Sequence, residues 1–238
     1  DVLQSVTGVI MGIFLFCHMA FTSSVQISKD LFANLINTSG GLFLFSEEQA
    51  WMHVLFVGFI TLCVVVHAFC ALRRFPTSYH QLRDILAHYK MLRHEDTTLW
   101  IVQFITAFLL FIFVFPHLIS MLCNPHGFDV NLIGVHTHHM GMIYTFVFLV
   151  ITELHGMIGL YRLAVKWDIF AKNPETDIID QRNGDRAGLR KTFLFIALLM
   201  IVCGTLTAWK NYSIGAEQIE NGQEATRYVL ADENNWWK

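Results

Sequence analysis

The chain is predicted to be an all-α membrane protein with five transmembrane helices. Three observations predict this. Of 238 residues, 54% are hydrophobic and 15% charged, against about 25% charged in soluble domains. Mean hydropathy is +0.47. The apolar residues gather in runs of about 20, the length at which a helix crosses the hydrocarbon core. These runs lack the period-two alternation of membrane strands.

The runs cover about residues 2–21, 50–72, 98–122, 141–163 and 192–209. Together they make one membrane domain over 1–238, with 210–238 as a tail on the outer face. The first run lacks the basic flank and cleavage site of a secretory signal, so it is expected to be retained. Orientation follows from Lys and Arg in the short connections. The second-to-third connection carries Arg73, Arg74, Arg83, Lys90 and Arg93. The fourth-to-fifth carries Lys166, Lys172, Arg182, Arg186 and Arg190. The first-to-second carries only Lys29, and the third-to-fourth none. The basic side is cytoplasmic, which places the N-terminus inside. Trp51, Trp100, Trp167 and Trp209 sit at predicted helix ends, where interfacial aromatics belong. Residues 24–46 have room for a short interfacial helix, and 79–93 for an amphipathic one on the inner face. Residues 173–188 read as a solvated loop.

A net charge of −3 and the lack of a dense basic patch give no footing for nucleic acid. The five cysteines lie in or beside apolar runs without a CxxC pair. They are expected to pack as small apolar residues, not to form disulfides or a zinc ribbon.

Each of the first four helices carries one histidine within its apolar run: His18, His67, His117 and His155. Polar side chains in a membrane are costly, and so point to function. Counting along each helix puts His18 and His117 at an outer level and His67 and His155 at an inner one. The levels lie roughly 10–15 Å apart by the helical rise. A four-helix bundle sets such pairs across its core. Two facing imidazoles suit a flat macrocycle between them, as in bis-histidine haem ligation. Gly8, Gly12, Gly58, Gly156 and Gly159 leave room for it. Arg162 and Lys166 follow His155 by 7 and 11 residues, on nearly the same face. They fit propionates, and equally fit ordinary positive-inside anchors.

The stretches QSVTG at 4–8, HMAF at 18–21, HAFCALRRFP at 67–76, LRHEDTTLW at 92–100 and ELHGMIGLYRLAVKW at 153–167 closely resemble one family. It is the dihaem cytochrome b subunit of quinol:fumarate reductases and succinate:quinone oxidoreductases with a five-helix anchor. The resemblance implies two b haems. His67 and His155 would hold the proximal haem, and His18 and His117 the distal one. Gln4, Ser5, His94, Trp100 and Lys166 would bind proximal propionates. It implies a bacterial cytoplasmic membrane, an iron–sulfur subunit docked on the cytoplasmic face, and an FAD-containing flavoprotein beyond it. A dimer of such heterotrimers is left open. The chain would carry electrons between a quinone, menaquinone by analogy, and the iron–sulfur subunit. It has no FAD or iron–sulfur motif, so dicarboxylate chemistry belongs to its partners.

The family also implies that Glu153 carries protons alongside electron transfer. Burial favours the neutral form of a carboxyl, which can carry a proton. A structural hydrogen bond to another helix is the alternative for this residue. Some menaquinol-oxidising members have a glutamate near the outer start of the second helix. Here the spacing from His67 puts Gly40 and Gly41 there. Glu47 and Glu48 are the nearest candidates for accepting the quinol proton. His53 is a candidate for lining the quinone cleft. Pro116, just before His117, is expected to loosen its helix.

Two other readings stay open at this stage. In one, intramembrane His and Glu form a haem-free proton relay of a transporter or channel. In the other, His136, His138 and His139, with His126 nearby, bind a metal on the outer face.

Overall fold

The computed structural model describes residues 1–40, 49–73, 75–92, 95–169 and 179–230. Helix α1 spans Val2–Ser23 and runs into a single 3-10 turn, Ser24–Gln26. Then come α2 (Lys29–Ser39), α3 (Ala50–Leu72), α4 (Tyr79–Leu92), α5 (Glu95–Cys123), α6 (Val130–Met140), α7 (Met142–Lys166) and α8 (Ile179–Glu220). Five of these helices, α1, α3, α5, α7 and α8, are long and apolar enough to cross a membrane. No strand occurs among the described residues. Helices are what lipid demands, because it offers no hydrogen-bond partner to a bare peptide group. Phe69, Ile112 and Leu198 face outward, a cost in water but none in hydrocarbon.

Five crossings place the N-terminus, α4 and the α7–α8 connection on one side, here the N-side. The far side carries α2, α6 and the end of α8. The two short surface helices α2 and α4 fall where interfacial segments are expected. Within the membrane, α7 packs on α8, α5 and α1, and α3 packs on α1 and α5.

The far side differs from expectation. Residues 130–140, expected as loop, form α6. The Asp129 carboxylate caps it, accepting from the backbone N–H of Asn131 at 2.9 Å. Gly141, at φ +80°, turns the chain directly into α7. Helix α8 does not stop near residue 209. It continues to Glu220, because Asn211, Ile214 and Gly215 lie on α6 and tertiary contact sustains the extra turns. Gly222, at φ +66°, marks the end, with Gln223 N–H returning to the Gln218 carbonyl at 2.8 Å. On the N-side, α8 starts at Ile179, within the segment read as loop. There Arg190 pairs with Glu95 and lies 3.6 Å from Asp96.

A small apolar core closes the far side. Val25, Phe32, Ala33, Ile36, Val130 and Ile214 are buried together, and Tyr228 and Leu230 of the tail pack against them. The tail is tied down by polar contacts too. Tyr228 N–H donates to the Asp129 carboxylate at 3.0 Å, and its hydroxyl donates to Asp30 at 2.9 Å. Burial of the ring and the nearby Asp30 push that phenol up to about 12. Arg227 donates to the His126 carbonyl at 3.0 Å.

The α6–α8 contact is glycine on glycine. A Cβ on Gly215 would overlap the Gly134 carbonyl, and one on Gly134 would stand 3.0 Å from Gly215 N. Backbone cannot yield as a side chain does. Gly215→Ala is therefore expected to cost roughly 1–3 kcal/mol by overpacking. The loss will show as a lower thermal midpoint of the purified protein in detergent.

Candidate functional site

One continuous cavity of about 1500 Å³ runs through the bundle, and all four intramembrane histidines line it. Each is half-buried by residue, since the cavity wall itself counts as accessible surface. His67 reaches α1, where Gly8 lies beneath its ring: a Cβ there would sit 3.4 Å from Cε1. His155 reaches α5. His67 is within electrostatic reach of His155, and His117 within reach of His18.

The two couples are held differently. His155 Nδ1 lies 3.1 Å from the backbone carbonyl of Gln103. A carbonyl only accepts, so Nδ1 carries the proton and Nε2 is left with its lone pair. Thr106 Oγ1 stands 3.2 Å from the same Nδ1. His67 Nδ1 lies 3.2 Å from Thr7 Oγ1, and the backbone of Gln4 lies beside the ring. On the far side the rings pack on aromatics instead. His18 stacks on Phe14 with centroids 5.3 Å apart, and His117 meets Phe148 edge-on at 5.5 Å. Among the described residues no hydrogen bond reaches either far-side ring. Helix α5 runs unbroken through Pro116 to Cys123.

The cationic and polar residues singled out on the N-side do converge. Gln4, Ser5, Trp100, Arg162 and Lys166 all line the N-side end of the cavity. Lys166 Nζ donates to Ser5 Oγ at 3.3 Å, and Trp167 Nε1 donates to the same oxygen at 3.2 Å. Arg162 donates to Gln103 Oε1 at 2.6 Å. Trp100 stacks on Phe104 with centroids 5.5 Å apart. His94 lies outside the described residues, as do Glu47 and Glu48.

The glycines expected to make room divide into two roles. Gly8 faces a histidine. Gly12, Gly156 and Gly159 line the cavity and also let helices approach: added Cβ atoms would meet Leu160 at 2.8 Å, Leu15 at 3.0 Å and the Gln103 amide at 2.9 Å. Gly58 has nothing within 4 Å of its Cβ position and does not line the cavity.

On the far side, His53 lines the cavity and meets Phe128 edge-on at 4.3 Å. Gly40 abuts it, with a Cβ position 3.5 Å from Nε2. Gly40 is thus a neighbour of His53. The His136–His139 cluster does not converge. His136 lines the cavity, His138 stacks on Tyr212 at 4.5 Å, and His139 faces Glu224 at 3.8 Å. Burial, then the charge of His139, hold His136 below the usual imidazole value. Among the described residues no group of three or more His, Cys, Asp or Glu is placed to hold a metal ion. All five cysteines are free.

A bundle of apolar membrane-length helices around one cavity lined by four histidines defines a class of membrane-embedded anchor subunits. Residues 80–207 match the model of the succinate dehydrogenase/fumarate reductase transmembrane subunit, and the chain belongs to that family. It is 34% identical to the fumarate reductase cytochrome b subunit of Helicobacter pylori, over 100% of this chain and 89% of that protein. It is 32% identical to the subunit of the same name from Wolinella succinogenes, over 91% of this chain and 82% of that one.

Glu153 is 0% exposed, and neither carboxyl oxygen has a hydrogen-bond partner. Met157, one turn on, packs on Ala197 and Met200 of α8. An unpartnered buried polar group costs about 1–3 kcal/mol. Glu153→Met, a swap of similar volume, is expected to raise the thermal midpoint of the purified protein. Unfolding followed by differential scanning fluorimetry checks it.

Proposed function

We propose that this chain is the membrane anchor and electron conduit of a respiratory fumarate reductase or succinate dehydrogenase complex, holding two b haems and exchanging electrons with a quinone. The observation that supports this reading is that four histidines, one from each of four membrane-length helices, line one cavity. The donor set fits the group. Nδ1 of His67 is engaged by a hydroxyl oxygen and Nδ1 of His155 by a carbonyl and a hydroxyl oxygen, which leaves Nε2 of each for an iron. A bis-histidine haem, when bound, takes up and releases one electron at its iron.

The remaining roles belong to the chain's own side chains. His67 and His155 clamp the N-side haem, and His18 and His117 the far-side one. Gln4, Ser5, Trp100, Arg162 and Lys166 receive propionates at the N-side end. His94 joins them by sequence alone. The N-side is cytoplasmic, and there the chain docks an iron–sulfur subunit that joins it to the flavoprotein. The quinone, menaquinone by family resemblance, enters at the far-side end beside His53. Glu47 or Glu48 takes the quinol proton, an assignment from sequence position. Glu153 carries a proton through the apolar interior, a role suited to a carboxyl retained without a partner.

The test is a visible spectrum of the purified complex. Two b haems per chain are expected, and His18→Ala is expected to remove one and leave the other. A colourless wild-type complex would overturn the reading in favour of a haem-free His/Glu relay.

A further inference from the structure

Two stretches of this chain, Gln4-Ser5-Val6-Thr7 on α1 and Gln103-Phe104-Ile105-Thr106 on α5, present the same arrangement to two different histidines. The Gln103 backbone carbonyl lies 3.1 Å from Nδ1 of His155, and the backbone of Gln4 lies beside His67. In each, the threonine hydroxyl three residues on stands 3.2 Å from Nδ1 of the same ring. In each, that hydroxyl gives its proton back along its own helix. Thr7 donates to the Leu3 carbonyl at 2.8 Å, and Thr106 to the Val102 carbonyl at 2.8 Å. Both threonines are buried, at 5% and 6% exposure.

The hydroxyl has one proton, and the backbone takes it. What remains toward the imidazole is a lone pair, so each threonine accepts from Nδ1–H. Each Nδ1–H thus meets a hydroxyl oxygen on the neighbouring helix, joined at His155 by the Gln103 carbonyl. These acceptors fix the tautomer and the ring plane, and they draw the proton outward, which makes Nε2 a stronger donor. Among the described residues, His18 and His117 have no counterpart.

We infer that Thr7 and Thr106 are positioning residues for the N-side haem ligands, acting through the Nδ1–H of His67 and His155 to set the electron affinity of that one haem. The inference rests on the proposed haem pairing. An electron-rich imidazole favours the oxidised iron. Removing the hydroxyl acceptor therefore raises the midpoint potential of the N-side haem and leaves the far-side haem where it was.

The experiment is a redox titration of both haems in the intact complex, read from the visible spectrum, with low-temperature EPR of the ferric haems. The variants are Thr7→Val and Thr106→Val, near-isosteric but without the hydroxyl, and Thr7→Ser and Thr106→Ser, which keep it. A hydrogen bond of this kind is worth enough to change the reduced-to-oxidised ratio at fixed ambient potential by a few-fold, up to about tenfold. Both Val variants are expected to move the same one of the two potentials upward and to shift the EPR signal of that haem. Both Ser variants are expected to restore the wild-type values. Loss of one haem in the Val variants with its retention in the Ser variants also supports the inference. Two retained haems with unchanged potentials would overturn it, and so would Thr7→Val and Thr106→Val acting on different haems. Equal loss in Val and Ser variants assigns the threonines to packing and overturns it as well. A haem-free wild-type complex overturns the proposed function itself, a distinct result.

Discussion

Hydrocarbon supplies no hydrogen-bond partner, and the rest of this structure is arranged around that constraint. Every polar atom within a span must find its partner in the protein or remain at a cost. Threonines meet the constraint by bonding back to carbonyls on their own helices, as Thr61, Thr106, Thr152 and Thr205 do. The N-side imidazoles meet it by reaching a neighbouring helix. Glu153 does not meet it at all. The places where satisfaction is unusual are also the places with a functional reading.

The cavity brings together elements that are remote in sequence through close helix approaches. Leu160 of α7 lies over Gly12 of α1, and the Gln103 amide of α5 lies over Gly159 of α7. These contacts bring α1 and α5 against α7, and the second sets the Gln103 carbonyl at His155. Electrostatics then separates the two ends. The N-side end is cationic and polar, with Arg162 and Lys166, whereas the far-side rings rest on Phe14 and Phe148. Groups of opposite character therefore meet one cavity at its two mouths.

Much of this was legible in the chain alone, for a physical reason. The five spans declare themselves by length and composition, and a single histidine inside each of four apolar runs pointed to a common interior, where all four line one cavity. Facing residues at helical spacing, such as Arg162 and Lys166 beyond His155, follow from the same geometry. What stayed hidden depends on partners elsewhere. Gln103 acts through its main chain, which no side-chain pattern reveals, and Thr7 and Thr106 look like ordinary membrane threonines until their neighbours are known. The signal that was available was the shared spacing of Gln and Thr in both stretches. Helix α6 and the last turns of α8 were missed because each is held by the other. Segment 130–140 is short and carries three histidines, and residues 210–220 are polar, so neither reads as helix without the Gly134–Gly215 contact.

Helix α8 has 42 residues, a rod of ~63 Å at 1.5 Å per residue. That is about twice the hydrocarbon thickness. Its two ends are pinned by different chemistry: Arg190 against two carboxylates on one side, and glycine-on-glycine contact on the other. A helix so fastened spans both faces of the bundle, and between its two fastenings Ala197 and Met200 pack on Met157 of the helix that presents His155.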